Sequence, residues 1–391
     1  LKALKIIFLT SINHSQVRYE ADYLGKHLKL TFIVVPSFER KQLPYILKLF
    51  FKKLPIICIS LLKLLIPPFP HTFYYVLLLS VILNEKLHNE RYDLIYAHWL
   101  YPAGFIGLML SRILNCKIVS VIWGYDIQVL REAKDYGVRG LNKVIARIVI
   151  EKSDLVIANH KVHTILAQRI SNPKAHERIL YVPPAIPDIS VDAQDKFTAE
   201  LKERLQFILD ELEEKKVVLY APSLRPLYGI REFVRAAQIV SASLKDSVFI
   251  IVGDGELKNE VIQFIKENGL EDRVFLVGKV SHESMKVLYK LSALVCDLAY
   301  PGTGTTALEA LCFGKPVIGI ESPKTVITHG VNGFVIKKGD YKSLANYIIA
   351  ILKDDELRRK ISINARKTFE GDFTIQKRIN RLLKIFNDII K

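Results

Sequence analysis

Tyr300-Pro301-Gly302-Thr303-Gly304-Thr305-Thr306-Ala307-Leu308-Glu309-Ala310-Leu311-Cys312-Phe313-Gly314 is the stretch from which the fold is read. An apolar run, Ala293–Asp297, precedes it and reads as a strand. A Gly/Thr loop follows, a helix opens near Thr305, and Gly314 supplies the stop. Pro316 then leads into a second apolar run that ends at Ile320. Strand, loop, helix and strand in this order describe one step of a parallel sheet, and open parallel sheets bind ligands beyond the carboxyl ends of their strands.

The same grammar extends in both directions. Upstream in the second half, Val217–Ala221, Val248–Val252 and Arg273–Val277 read as strands. Ile230, Phe233, Val234, Ala237 and Val240 mark one face of an intervening helix. The first half offers strands at Leu4–Thr10, Thr31–Val35, Asp93–His98, Lys117–Ile122, Asp154–Ala158 and Arg178–Val182, with helical patterns at Gln16–Leu28, Ala103–Leu114, Leu141–Lys152 and Lys161–Ile170. The start, Leu1–Thr10, reads as a first strand and not as a secretory signal. A chain of 391 residues is too long for one ordinary core. The expectation is therefore an α/β protein of two Rossmann-like domains. The first takes residues 1–187, with a last helix at about 375–391 available to pack back on it. The second takes residues 188–374. Asp192–Lys215, charged throughout with apolar residues at helical spacing, is expected to be an exposed helix.

Half the residues are hydrophobic and a quarter charged, which excludes a disordered chain. The formal charge of +16 points to anionic partners without choosing among them. No basic helix with interleaved aromatics is present, so nucleic acid is not expected. Cys58, Cys116, Cys296 and Cys312 lack metal or redox spacing and read as buried thiols of a reducing compartment. Leu43–Leu83 is very apolar, yet carries Lys48, Lys52, Lys53 and Lys63 and is interrupted by Pro67, Pro68 and Pro70. It reads as helices lying on an anionic membrane surface, against the plainer reading of a buried helix pair. The expected location is cytoplasmic, peripheral on the inner face of the membrane.

The Gly/Thr loop is a candidate anion cradle. Gly302 and Gly304 admit close approach of a ligand, and the N–H groups of Thr303, Gly304, Thr305 and Thr306 at the helix start would face it. Pro301 opens this loop. Glu309, one turn in, is placed to accept hydrogen bonds from ribose or sugar hydroxyls. It is equally spaced to complete a capping box with Thr306, which needs no ligand. His98 ends one strand of the first half and Asp126 follows the next; Asp126 is equally a candidate cap for a helix beginning at Ile127.

Ala307–Ile318 resembles the donor-site signature of retaining glycosyltransferases of family four, which have the GT-B fold. Tyr228-Gly229-Ile230, Val252–Gly255 with Gly253, Val274–Val280 with Lys279, His329–Val335 (a loop after the donor helix) and Asn364–Arg366 resemble further motifs of its second domain. Ala97-His98-Trp99 with Pro102 and Gly104, and Gly124-Tyr125-Asp126, resemble its acceptor-side motifs. The resemblance implies two parallel sheets facing across a cleft and a metal-independent transfer of a sugar, with retention, from a nucleoside-diphosphate donor to a saccharide or lipid-linked acceptor. No cofactor is expected to be tightly bound. His98, Asp126, Arg225 and Glu309 are the implied catalytic residues. Gly253, Gly255, Lys279, Val280, Glu309 and the residues from Pro301 to Thr306 are the implied donor contacts.

The chain departs from that pattern in several places. Pro301 stands where the family has a first glutamate, Pro222 and Tyr228 stand where it has an arginine and a lysine, and Trp123 stands where it often has a histidine. Ser11–Ser15, including Asn13 and His14, replaces its Gly-Gly loop. Arg225 is the nearest cation left for a diphosphate, with Lys279 second. These departures keep two other readings open: a non-catalytic partner subunit that binds a nucleotide, and a sugar-nucleotide epimerase.

Overall fold

Strands covered by helices on both faces need apolar side chains at nearly every position, and the runs named above have them. A computed structural model of the chain describes residues 4–11, 15–35, 48, 82, 87, 90–124, 126–127, 140–193, 197–206, 212, 214–300, 302 and 304–391. It forms two all-parallel sheets. In the first, β1 (Lys5–Thr10), β2 (Lys29–Val34), β3 (Leu94–His98), β4 (Lys117–Ile122), β5 (Leu155–Ala158) and β6 (Ile179–Tyr181) lie in the order β2-β1-β3-β4-β5-β6. In the second, β7 (Lys216–Tyr220), β8 (Ser247–Val252), β9 (Val274–Gly278), β10 (Ser292–Asp297), β11 (Val317–Ile320) and β12 (Gly333–Ile336) lie in the order β12-β11-β10-β7-β8-β9. Every residue of β3 and of β8 is buried. Each order reverses direction once, between β1 and β3 in the first sheet and between β7 and β10 in the second. At such a reversal the loops leaving two adjacent strands diverge and open a crevice.

The chain divides into two units, Leu1–Pro184 with Ile375–Lys391, and Ala185–Thr374. Two expectations need correction. Among the described residues of Asp192–Lys215 the helix is Ala199–Arg204, and it is not exposed throughout: Leu201, Leu205 and Leu212 are buried in the core of the second unit, because their apolar face covers that sheet. Within His329–Val335, read as a loop, β12 begins at Gly333. A β-carbon at Gly333 would fall 1.9 Å from the Val317 carbonyl oxygen, so only glycine lets this edge strand pair with β11. Of Leu43–Leu83 only Lys48 and Ile82 are described; Lys52, Lys53, Lys63 and Cys58 lie outside the described residues. No helix among the described residues is long and apolar enough to cross a membrane.

The last helix, Ile375–Ile390, belongs to the first unit through a buried ion pair. Arg378 donates from Nε to Oε2 of Glu20 at 2.6 Å, both side chains being almost fully buried. Its Nη1 donates to the carbonyls of Val182 (2.9 Å) and Pro183 (2.6 Å). Burial raises the Glu20 pKa, but Arg378 and His98 outweigh it and hold the value at about 2. Removing one member of such a pair strands the other charge inside, at a cost of about 3–5 kcal/mol. Arg378→Met should therefore lower the free energy of chemical unfolding by that order, and adding Glu20→Gln should recover part of the loss. The folded Glu20 pKa lies below its ordinary value, so the pair's contribution is present above pH 4.5 and fades as pH falls toward 2. The wild-type and Arg378→Met stabilities should converge over that range in denaturation curves.

Candidate active site

Three loops meet at the carboxyl edge of the second sheet. After β7, residues 221–229 lead into the helix Ile230–Ser243; after β10, residues 298–304 lead into the helix Thr305–Cys312. Tyr300 N–H donates to the Leu227 carbonyl at 2.9 Å. Gly229, at φ +70°, lies so close to Leu298 that a β-carbon would stand 2.5 Å from that side chain. A β-carbon on Gly255, after β8, would stand 2.4 Å from the Leu224 carbonyl oxygen. Gly253 also lies in that loop, at φ +120°. The two helix starts therefore lie at the reversal point between β7 and β10, where their dipoles favour an anion.

Asp297, which the sequence reading missed as a functional residue, organises the loop. Its Oδ2 accepts the N–H groups of Gly304 at 3.0 Å and Ala307 at 3.1 Å, and its Oδ1 that of Ala299 at 3.4 Å. Burial raises its pKa to about 6 against these amides, which lower it. The expected cradle is corrected accordingly. The Gly304 amide is occupied by Asp297 and the Gly302 amide by the Ala299 carbonyl at 3.1 Å. The amides of Thr305 and Thr306 bond no described residue. Pro301 and Thr303 lie outside the described residues. Gly302, at φ +137°, is wedged against the loop after β11: a β-carbon there would stand 2.5 Å from Lys324 Cβ and 2.9 Å from Ser322 Oγ. At Gly304 a β-carbon would meet nothing within 4 Å, so the loop is open on that side.

Glu309 is not a capping-box partner. The helix is capped at Gly304 without a side-chain bond, and Glu309 Oε2 instead accepts the hydroxyl of Tyr289 at 2.8 Å. Burial raises its pKa to about 7; the Tyr289 hydroxyl works against this and the Asp297 carboxylate adds to it. Tyr289 is fully buried and stacked on Phe313, and only its place on the helix His282–Leu291 could have suggested it. Arg225 is exposed in the loop after β7. Lys279 and Val280 follow β9 at the far edge of the sheet, two strands from β7, and are not brought to the reversal point.

In the first unit, His98 and Asp126 both turn inward. His98 is fully buried between Phe8, stacked at 4.6 Å, and Tyr96. Trp123 Nε1 donates to His98 Nδ1 at 3.0 Å. An indole N–H can only donate, so Nδ1 carries no proton and the neutral ring is protonated on Nε2, 3.5 Å from Glu20 Oε1. Burial outweighs Glu20 and lowers the His98 pKa. From 128 to 139 the residues of a helix beginning at Ile127, which Asp126 was a candidate to cap, lie outside the described residues. The buried Asp126 carboxylate accepts the N–H groups of Leu100 (2.8 Å), Trp123 (3.2 Å) and Gly124 (2.8 Å).

Residues 202–368 match the family described as glycosyl transferases group 1. That match spans most of the second unit, and in it the chain is similar to the group 1 glycosyltransferases. N-acetyl-alpha-D-glucosaminyl L-malate synthase of Bacillus anthracis is 27% identical over 81% of this chain and 80% of its own length. UDP-Gal:alpha-D-GlcNAc-diphosphoundecaprenol alpha-1,3-galactosyltransferase of Escherichia coli is 24% identical over 79% of each. The crystal structure of Anabaena Alr3699/HepE in complex with UDP superposes with a TM-score of 0.67 at 18% identity, covering 98% of this chain and all of that one, and its likeness establishes the GT-B fold.

The Glu309 environment makes a stability prediction for this glycosyltransferase. Its folded pKa lies above its ordinary value, so ionising it costs stability as pH rises from 4.5 through about 7. Glu309→Gln should therefore be more stable than the wild type at pH 8, by roughly 1–3 kcal/mol. The difference should vanish below pH 4.5. Thermal melts across that pH range measure it.

Proposed function

We propose that this glycosyltransferase moves a sugar, with retention at the anomeric carbon, from a nucleoside-diphosphate donor held by the second unit to a saccharide or lipid-linked acceptor handled by the first. The observation that carries the reading is the pair of helix starts at one reversal point, with Thr305 and Thr306 at the first helical positions and an open side at Gly304. A diphosphate fits there as the anion. In the reaction the bond from the anomeric carbon to the leaving phosphate oxygen breaks and negative charge grows on that oxygen. Fixed N–H dipoles and a guanidinium from Arg225 oppose that growth. The acceptor hydroxyl then bonds to the anomeric carbon from the same side, and its proton passes to a donor phosphate oxygen.

Glu309, held by Tyr289, is assigned to the ribose or sugar hydroxyls, which bind best when the carboxylate is ionised. UDP is the first donor nucleotide to test, because the Anabaena structure holds UDP and the Escherichia coli relative is named for a UDP-sugar. Attachment to an anionic membrane surface through Leu43–Leu83 is part of the proposal and rests on the sequence alone.

UDP at a hundredfold excess over its Kd should stabilise the protein by about 3 kcal/mol, a shift of roughly 5–10 °C for units of this size. Gly304→Val places a side chain into the open face and should leave the unliganded melt within about 1 °C of wild type while abolishing the UDP shift. Glu309→Ala should also lose it. A UDP shift that survives Gly304→Val at full size would reject the site. Turnover of a matching sugar nucleotide by the isolated protein excludes the partner-subunit reading.

A further inference from the structure

The helix Thr305–Cys312 begins at the loop after β10 and ends beside an open pocket of about 570 Å³. Lys290, Lys315, Arg366, Lys367 and Ser362 line it, all within the second unit. Lys290 stands just before β10 and Lys315 just before β11, so the pocket lies at the amino edge of the second sheet. The eight-residue helix, about 12 Å long, separates it from the donor loop at the carboxyl edge. No acidic residue is among the described residues that line it. We infer that this pocket is a second anion site, which holds the phosphate group of a phosphate monoester, either a soluble ester or a lipid headgroup. The inference is independent of the donor reading.

Cationic side chains often serve the protein's own carboxylates and carbonyls, and two of the four do so here. Arg366 pairs with Asp188 and Glu370 and donates to the Cys312 carbonyl. Lys290 donates to the Ala193 carbonyl. The other two are placed differently. Lys315 Nζ donates to the Lys290 carbonyl at 2.8 Å and meets no carboxylate among the described residues. Lys367 is exposed and bonds no described residue. The negative end of the helix Thr305–Cys312 does not use these lysine ammonium groups either. The carbonyls of Glu309, Ala310 and Leu311 accept the N–H groups of Phe313 (3.1 Å), Lys315 (2.9 Å) and Gly314 (3.0 Å), and that of Cys312 accepts Arg366. Its last carbonyls are therefore satisfied from within the chain.

Two ammonium groups thus face one pocket without a carboxylate to offset them. For Lys315 this placement is unfavourable: burial lowers its pKa to about 8, and the Arg358 guanidinium adds to the effect. An anion in the pocket relieves that repulsion. A phosphate monoester carries close to two negative charges at pH 8, which matches two lysines, and lysine binds phosphate as a point charge. The Ser362 hydroxyl bonds no described residue and supplies a neutral donor to a phosphate oxygen. Phe313 and the half-exposed Ile363 line the same pocket and give apolar surface to the carbon side of an ester.

Calorimetry at low ionic strength on full-length Gly304→Val, whose donor face is blocked, makes a probe report this pocket. Inorganic phosphate and glycerol 3-phosphate are titrated at pH 8. Sedimentation is followed with phosphatidylcholine vesicles that contain or lack phosphatidate. At least one probe should bind saturably. Lys367→Glu, at an exposed position, should weaken that binding about tenfold or more. The same substitution in the otherwise wild-type chain should leave the UDP thermal shift unchanged. An anion favours the ammonium form of Lys315, so binding of a soluble probe at pH 8 should take up a fraction of a proton. That uptake is read as heat that differs between buffers of unlike ionisation enthalpy, and Lys315→Met should abolish it. Lys367→Glu decides alone if Lys315→Met does not fold. Binding of the soluble probes assigns a soluble ester; binding confined to phosphatidate vesicles and weakened in Lys367→Glu assigns a headgroup. No binding of any probe, or equal affinity in Lys367→Glu, overturns the inference. A missing UDP shift in the wild type overturns the donor reading instead and leaves this test intact.

Discussion

A carboxylate whose partners among the described residues are backbone amides sets the geometry of the loop after β10. Asp297 closes β10 and draws the amides of Gly304 and Ala307 onto one oxygen. The intervening amides, at Thr305 and Thr306, belong to the first turn of the helix that follows. The arrangement has an electrostatic consequence. A helix start carries about half a positive charge, and a buried carboxylate directly behind it reduces what an incoming anion feels. The same negative charge raises the Glu309 pKa. A diphosphate bound in front of Asp297 therefore needs positive side chains as well as dipoles. Arg225 lies in the neighbouring loop, and the buried Lys324 packs its β-carbon against Gly302. The absence of basic residues at Pro222 and Tyr228 moves this requirement to other loops and does not remove it.

The first unit solves a related problem by other means. Glu20 and Arg378 are 358 positions apart and meet inside, where either charge alone would be prohibitively desolvated. Such a pair is weak evidence for net stability, but it makes the docking of the last helix specific, because only one placement satisfies both charges. Arg378 also closes on the carbonyls of Val182 and Pro183, the end of the segment that leaves the unit. Glu20 in turn bonds the Tyr96 hydroxyl and faces His98. The last helix is thus connected by consecutive polar contacts to the carboxyl edge of β3.

What the sequence discloses follows from how local each signal is. Buried parallel strands are apolar runs, so eleven of the strands described here were readable within one or two residues of their observed ends. β12 was not, since Gly333 reads as a turn and its pairing depends on a carbonyl that only the fold brings near. The Gly/Thr loop was legible because glycine marks close approach, and Gly302 meets that expectation against Lys324. Asp297 was not, because an acid ending an apolar run carries no mark of which amides it will accept. The inward turn of His98 could not be read either. It depends on Trp123, Glu20 and Phe8, three residues remote in sequence. Leu201 and Leu205 were assigned to an exposed helix because their helical spacing was legible but not the sheet that it covers, which only the fold supplies.

The two reversal points therefore differ in how they are held. In the second unit Asp297 accepts the amides of Ala299, Gly304 and Ala307, so it shapes one loop, the one that leads into the helix Thr305–Cys312. In the first, Asp126 accepts amides at Leu100, Trp123 and Gly124, and His98 takes the Trp123 indole N–H. That carboxylate therefore ties the turn after β4 to the turn after β3. The same topological element, a crevice where strand order reverses, is thus braced by a buried acid in each unit, within a single loop in the second and across two neighbouring loops in the first.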